Sequence, residues 1–349
     1  MAVKEELNSS IKSNRALSDC LNVFRPKYRL LKRYVDFYTK DRFPPRHIQL
    51  EPTTKCNCNC IICGRNKSNA RDLELTEFKR IISQIPSLQL VQLQGMGEPV
   101  LCEDFEDMVK FGVSRNIEFT TNSNATVLDD NKIELILSYF KAFYISFDSV
   151  IKENFERIRV GADFDKVLYN IRRLAARKKE LEGKTKIVLY FVVTHLNYRE
   201  LPLFFNLCED LGFEAEVREC MNWMWLNPEH NEYQEAVNFI SNCEKVRDDV
   251  KTIIKNRTAK TNVYFYQKAN MKNAMCYWPF SASYITVDGF VTPCCMISDP
   301  GILNFGNIRE KPFHHIWNSP EYTCFRKTHY FNLGNSFCDR CYTHLCVAD

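Results

Sequence analysis

A chain of 349 residues is long enough for two domains, and 45% apolar with 26% charged residues is ordinary globular composition. A net charge of only +4 gives no electrostatic case for nucleic acid as a partner. The opening MAVKEELNSS has no apolar secretion segment, and no run approaches the ~18 apolar residues of a membrane span, so a cytoplasmic protein without a membrane partner is expected. In a reducing compartment, sixteen cysteines argue against a disulfide framework and for metal or redox chemistry, with about half of them buried passenger thiols.

The first segment, 1–45, is expected as an N-terminal helical extension whose basic run 25–42 is a solvated helix face. From 47 onward, short apolar strands alternate with helical stretches. The strands are expected at 47–53, 88–95, 117–122, 142–148, 186–194 and 213–220. Helices are expected at 75–85, 103–114, 129–139, 163–181 and 198–211. Six βα units predict an α/β fold, a parallel sheet forming a partial (β/α)6 barrel over 46–225.

Side chains alternate across a strand, so Ile48 and Leu50 share one face while Gln49, Glu51 and Thr53 share the other. The same split sets Phe143, Ile145 and Phe147 against Tyr144, Ser146 and Asp148. In the sixth strand it sets Phe213, Ala215 and Val217 against Glu214, Glu216, Arg218 and Cys220. Apolar faces pack under helices, so the polar faces point inward and a polar ligand inside the barrel is expected. Beyond 220 the rhythm breaks into the aromatic MNWMWLNPEHNEY and a helical linker over 226–270. The remainder, 271–349, is a small cysteine-rich domain needing metal to fold, with a hairpin in YITVDGFVTPCC that turns at Asp288-Gly289.

The stretch EPTTKCNCNCIICGR carries Cys56, Cys60 and Cys63 in C-x3-C-x2-C spacing just past the first strand, where active-site loops of βα barrels lie. Three thiolates on a four-iron cluster leave one iron open to a small-molecule ligand. Zinc is the rival on spacing alone, and with it a non-enzymatic zinc-binding interaction protein, although zinc prefers four ligands in paired spacing. Cys58 reads as a spacer, and Glu51 and Thr53 as the floor of the same cavity.

Over 47–220 the motifs, taken in order, resemble those of the radical S-adenosylmethionine (radical SAM) superfamily. LQGMGEP after the second strand resembles that family's GGEP motif, FTTNSN ends the third, and ISFDS ends the fourth. NFERIRVGADFDKVLYNIRRL resembles the segment that follows. The resemblance implies that Cys56, Cys60 and Cys63 hold a 4Fe–4S cluster and that Gly95, Gly97 and Glu98 receive the SAM ammonium. It further implies that Asn122, Ser146 and Asp148 meet the ribose or carboxylate and that Arg159 approaches the cofactor. The residue before the third cysteine is usually aromatic; here it is Ile62, which leaves only its backbone to meet adenine. Met96 intervenes between Gly95 and Gly97.

A reduced cluster in this family cleaves SAM to a 5′-deoxyadenosyl radical that removes hydrogen from a substrate C–H bond. An electron donor such as flavodoxin or ferredoxin is implied. Cys276-x12-Gly289-x4-Cys294 followed by Cys338-x2-Cys341 resembles the SPASM/twitch extension, which implies an auxiliary 4Fe–4S cluster on Cys276, Cys294, Cys338 and Cys341 in its one-cluster form. Cys295 and Cys346 remain as substitutes, and a structural zinc ribbon as the rival. The substrate reads as a small-molecule intermediate undergoing oxidation, with epimerisation or crosslinking of a ribosomally made peptide as the alternative. Cys220 is the candidate hydrogen donor for the latter, against a passenger thiol at the rim. Arg218 is left between Glu216 and substrate, and Trp223 and Trp225 between the substrate mouth and domain packing. His195 reads as a polar rim residue.

Overall fold

The computed structural model describes residues 44–65, 70–220, 244–268, 276, 278–331 and 344–347, with backbone alone at 244, 266–268 and 344–347. The expected helical extension lies almost wholly outside them, as do Trp223, Trp225, Cys338 and Cys341. No helix among them is long and apolar enough to cross a membrane.

The six expected strands form β1 (His47–Leu50), β2 (Leu90–Leu93), β3 (Glu118–Ser123), β4 (Phe140–Ser146), β5 (Lys186–Val193) and β6 (Glu214–Glu219). They lie side by side in chain order, each parallel to the next. Helices cover the connections: α1 (Leu75–Ser83), α2 (Phe105–Val113), α3 (Asp130–Tyr139), α4 (Lys152–Ile158), α5 (Phe164–Glu180) and α6 (Leu201–Leu211). Two of them start where an aspartate accepts a hydrogen bond from a first-turn amide: Asp129 from Lys132 N at 2.8 Å and Asp163 from Lys166 N at 2.9 Å. Such caps satisfy donors that the helix cannot, each contributing about 1 kcal/mol. Gly212 ends α6 at φ +66°, a left-handed conformation that favours glycine.

The strand faces pack as the alternation dictates. Ile48, Leu50, Phe143, Ile145, Phe147, Ala215 and Val217 are fully buried. Phe147 meets Phe155 of α4 and Phe164 of α5 at ring-centroid distances of 5.2 and 5.8 Å, which ties both helices to the end of β4. Each buried ring contributes about 1.5–3 kcal/mol.

The sheet does not stop at six strands. β7 (Val263–Lys268) adds parallel to β6, inside the stretch expected as a helical linker, although α7 (Glu244–Lys255) precedes it as a helix. The reading of 226–270 as helical is corrected there: VYFYQK is rich in β-branched and aromatic residues, and the edge of β6 pairs with it. β10 (His344–Val347) pairs antiparallel with β7. At the other edge, β8 (Ala282–Ile285) runs parallel to β1 and pairs antiparallel with β9 (Val291–Thr292). The expected hairpin is therefore present, with Gly289 at φ +84°. It continues the barrel sheet instead of standing apart as a separate layer. A short helix α8 (Trp278–Ser281) leads into β8, and α9 (Phe313–Trp317) and α10 (Pro320–Phe331) cover the C-terminal part.

Candidate active site

The cysteine loop leaves β1 and is fastened on three sides. Residues 70–73 run back along its first arm, through Thr54 N to Arg71 O at 2.9 Å and Leu73 N to Pro52 O at 2.8 Å. The C-terminal end of α4 holds its middle, through Asn59 N to Val160 O at 2.6 Å and Ile61 N to Ile158 O at 2.9 Å. The loop after β3 holds the third side: Asn124 Nδ2 donates to Asn57 Oδ1 at 2.9 Å, and Asn57 Nδ2 to Thr126 Oγ1 at 2.7 Å. Gly161, at φ +93°, lets the chain pass this loop; a Cβ there would lie 3.1 Å from Asn57 O.

Cys56, Cys60 and Cys63 are half-buried, while Cys58 is buried. The Cys58 thiol holds Cys56 down at about 6 against the push of burial, with Arg65 and Arg159 adding to the fall. Cys58 likewise lowers Cys60 to about 7, again with help from Arg159. Cys58 is driven upward by the same two neighbours, and burial pushes Cys63 up to about 11. Thiolates, not thiols, bind iron, so Cys56 and Cys60 are poised as ligands and Cys58 is the thiol that keeps its proton. Asn124 Nδ2 approaches Cys58 Sγ at 3.4 Å.

Arg159 ends α4 with its guanidinium beside this loop. Nη1 stands 3.7 Å from Cys60 Sγ, and Nε donates to Asp148 Oδ2 at 2.5 Å. The other Asp148 oxygen accepts from Val192 N at 2.7 Å, and the residue is fully buried. Asp148 thus holds Arg159 through Oδ2, while Oδ1 accepts one bond, from Val192 N. Ser146 and Asn122 are half-buried on the polar faces of their strands, opposite Tyr190 and Tyr144 in register. Ile62 is half-buried in the turn between Cys60 and Cys63.

The glycine loop after β2 lies against the cysteine loop. A Cβ on Gly97 would sit 2.4 Å from Thr53 O and 2.5 Å from Lys55 O, so only glycine permits this backbone-to-backbone approach. Glu98 N donates to Lys55 O at 2.7 Å. The Glu98 carboxylate accepts from Ser123 Oγ and Asn124 N, both at 2.7 Å, and burial raises it to about 7. Each of its oxygens keeps a second lone pair for a cationic ligand.

Glu51 and Thr53 do not form the floor expected of them. Thr53 Oγ1 bonds to Arg71 O and Asp72 Oδ1 at 3.1 and 2.5 Å, and Glu51 is spent on the neighbouring loops. Arg218 resolves toward its own strand: Nε meets Glu216 Oε1 at 2.5 Å, and the guanidinium lies over the Tyr190 ring. Cys220 is buried just past β6, its thiol pushed up to about 12. His195 is half-buried just past β5.

The C-terminal thiols are scattered over different elements. Cys276 precedes α8 with its backbone bonded to His329 of α10, Cys294 and Cys295 follow β9, and Cys324 is exposed on α10. Adjacent in sequence, Cys294 and Cys295 face different neighbours. The charge of Cys294 is felt by Tyr322, that of Cys295 by Tyr190 and Tyr284 across the sheet. Buried Arg326 fastens this part, donating to Pro279 O and Trp317 O at 2.9 and 2.8 Å between the Trp317 and Tyr322 rings.

Sequence reasoning missed Asn57, Asn124, Gly161 and Arg326. The two asparagines were visible in CNCNC and TTNSN, but nothing in either stretch says that the two loops meet.

The family model described as Radical SAM superfamily matches residues 50–208, and SPASM, an iron-sulfur cluster-binding domain, matches 276–342. The chain is 26% identical over 309 residues to the tungsten-containing aldehyde ferredoxin oxidoreductase cofactor-modifying protein of Pyrococcus furiosus, covering 80% of this chain and 83% of that one. It is 24% identical to the AdoMet-dependent heme synthase of Methanosarcina barkeri, covering 81% and 84%. Among solved structures, SuiB of Streptococcus suis bound to S-adenosylmethionine aligns at a TM-score of 0.69 and 15% identity, over 97% of this chain and 82% of that one. The anSMEcpe structure with AdoMet and a peptide aligns at 0.57 and 18%, over 85% and 86%. The residues after β1 fit the SAM-binding 4Fe–4S cluster that the first domain implies: three thiols in one loop, two of them lowered, a buried guanidinium beside them and a glycine cradle next to the loop. The chain therefore carries a Radical SAM domain followed by a SPASM domain.

Proposed function

We propose that this enzyme oxidises a C–H position of a small molecule, a cofactor precursor or natural-product intermediate, using radical chemistry initiated from SAM. The observation that carries the site assignment is the three-cysteine loop at the end of β1, pressed between Arg159 and the Gly97 backbone, with Cys56 and Cys60 lowered. Cys56, Cys60 and Cys63 would hold the SAM-binding cluster, and Cys276, Cys294, Cys338 and Cys341 the auxiliary one. When bound, the cluster and SAM would supply a 5′-deoxyadenosyl radical able to take a hydrogen atom from substrate, and the auxiliary cluster would accept the second electron of the two-electron oxidation.

The chain's own residues orient and enclose that chemistry. Gly95, Gly97 and Glu98 receive the SAM ammonium, a buried carboxylate complementing a positive charge. Arg159, fixed by Asp148, sets its charge beside Cys60 and favours the thiolate. Asn122 and Ser146 offer hydrogen bonds from the inward strand faces, and the backbone at Ile62 meets adenine. The electron enters from a small carrier such as flavodoxin or ferredoxin.

A small-molecule substrate is supported by the two archaeal relatives, whose names describe cofactor modification and heme synthesis. Peptide modification is the second reading, favoured by the SuiB structure bound to its precursor peptide SuiA, which aligns over 90% of this chain. For that reading Cys220 is the hydrogen donor, and its buried, protonated thiol suits the role. The test is reaction in D₂O with candidate substrates of both kinds. A two-electron oxidised small molecule without carbon-bound solvent deuterium supports the proposal; a peptide carrying deuterium at an α-carbon sinks it.

A further inference from the structure

Glu51 is a buried carboxylate that touches both iron–sulfur-binding parts of the chain at once. It follows β1, and its backbone N extends the ladder to β8 by donating to Ile285 O at 3.0 Å. One side-chain oxygen accepts from Met96 N, in the glycine loop, at 2.9 Å. The other accepts from Val287 N, in the turn of the C-terminal hairpin, at 3.1 Å. Gly95 is shaped around it, since a Cβ there would lie 2.3 Å from Glu51 Cγ.

The two loops lie 191 residues apart at Met96 and Val287, and a rigid carboxylate fixes the distance between their amides. A carboxyl group presents one acceptor oxygen to each of the two N–H donors. From these two bonds and the close approach of Gly95 we propose that Glu51 is a positioning residue that couples the C-terminal hairpin to the SAM-ammonium loop, so that order in the SPASM part strengthens SAM binding and SAM binding orders the SPASM part. Reciprocity is required of any such coupling. The proposal rests on the reading of Gly95 to Glu98 as the ammonium site.

Two variants break the link from opposite sides. Glu51→Gln turns an amide NH₂ toward one of the two donors. Val287→Pro removes only the hairpin N–H. Val287 is the second residue of a turn closed by Gly289 N to Thr286 O at 2.8 Å, where proline is favoured. The reconstituted full chain is used, with equilibrium SAM titration, iron content and amide exchange of the 94–98 and 284–290 segments. Loss of a buried hydrogen bond to a charged group corresponds to about a tenfold weaker SAM affinity. That loss is expected in both variants, with iron content unchanged and faster exchange in both segments, including the segment distant from the substitution.

Faster exchange confined to the substituted side, unchanged SAM affinity, or loss of iron in step with affinity overturns the coupling. Glu98→Gln separates the two claims. If it weakens SAM binding while Glu51→Gln does not, the coupling fails and the ammonium-loop reading stands. If Glu98→Gln leaves affinity unchanged, the reading fails and the coupling with it.

Discussion

The loop carrying Cys56, Cys60 and Cys63 hangs between the ends of β1, β3 and α4, and its neighbours fix it through backbone bonds and paired asparagines. Cys276 precedes α8, Cys294 follows β9 and Cys324 lies on α10, in a part fastened by the aromatic packing around Arg326. The first arrangement brings ligands together by local spacing on a rigid sheet end. The second draws its thiols from segments distant in sequence. Substitutions in the two regions should therefore fail differently.

The largest expected effect is at Cys60. Cys60→Ala should abolish 5′-deoxyadenosine formation and remove about half the iron, since two four-iron clusters give about eight irons per chain. Cys58→Ala removes no ligand and should leave both intact, since bound iron, more than the Cys58 thiol, keeps Cys56 and Cys60 ionised. Cys294→Ala should remove a similar share of iron while SAM cleavage persists, and equal loss of cleavage in Cys60→Ala and Cys294→Ala would erase the distinction between the regions.

Next in size is the loss of a buried guanidinium. Arg159→Met leaves the Asp148 carboxylate buried and unpaired, which costs about 3–5 kcal/mol in urea unfolding. Arg326→Met loses two backbone hydrogen bonds and its stacking, and an effect of about 2–4 kcal/mol is expected. The Arg326 effect should shrink when the C-terminal cluster is loaded, whereas the Arg159 effect should not depend on it.

The smallest expected effect is a pH dependence at the seam between the regions. His47 of β1 packs edge-on against Trp278 of α8 at 5.0 Å, and burial lowers it to about 4. The unfolded chain takes up that proton near ~6.5. Below that pH the unfolded state binds more protons than the folded one, so stability is full above ~6.5 and lost as pH falls toward 4. Between pH 7 and 5 the loss should be about 1–2 kcal/mol. His47→Phe should flatten it in urea titrations at the two values; an unchanged slope would place the acid sensitivity elsewhere.

What could be read from the sequence follows the same division. The βα repeats were legible because strands such as β4 alternate, Phe143, Ile145 and Phe147 against Tyr144 and Ser146, and helices with an apolar face lie between them. Glycine and cysteine spacing located the site because both are local. Contacts between loops were not legible. Glu51 shares a polar strand face with Gln49, and only the approach of Met96 and Val287 turns it from cavity floor into a clamp. The bonds of Asp148 to Arg159 and Val192 were no more visible. β7 was hidden because its partner edge, β6, lies some fifty residues upstream.

The most direct measurement is metal and sulfide content of the anaerobically reconstituted chain, followed by SAM cleavage under a strong reductant. We expect about eight irons with matching sulfide, and 5′-deoxyadenosine formed by the wild type but not by Cys60→Ala. Iron-free protein with stoichiometric zinc and no SAM cleavage would contradict the account.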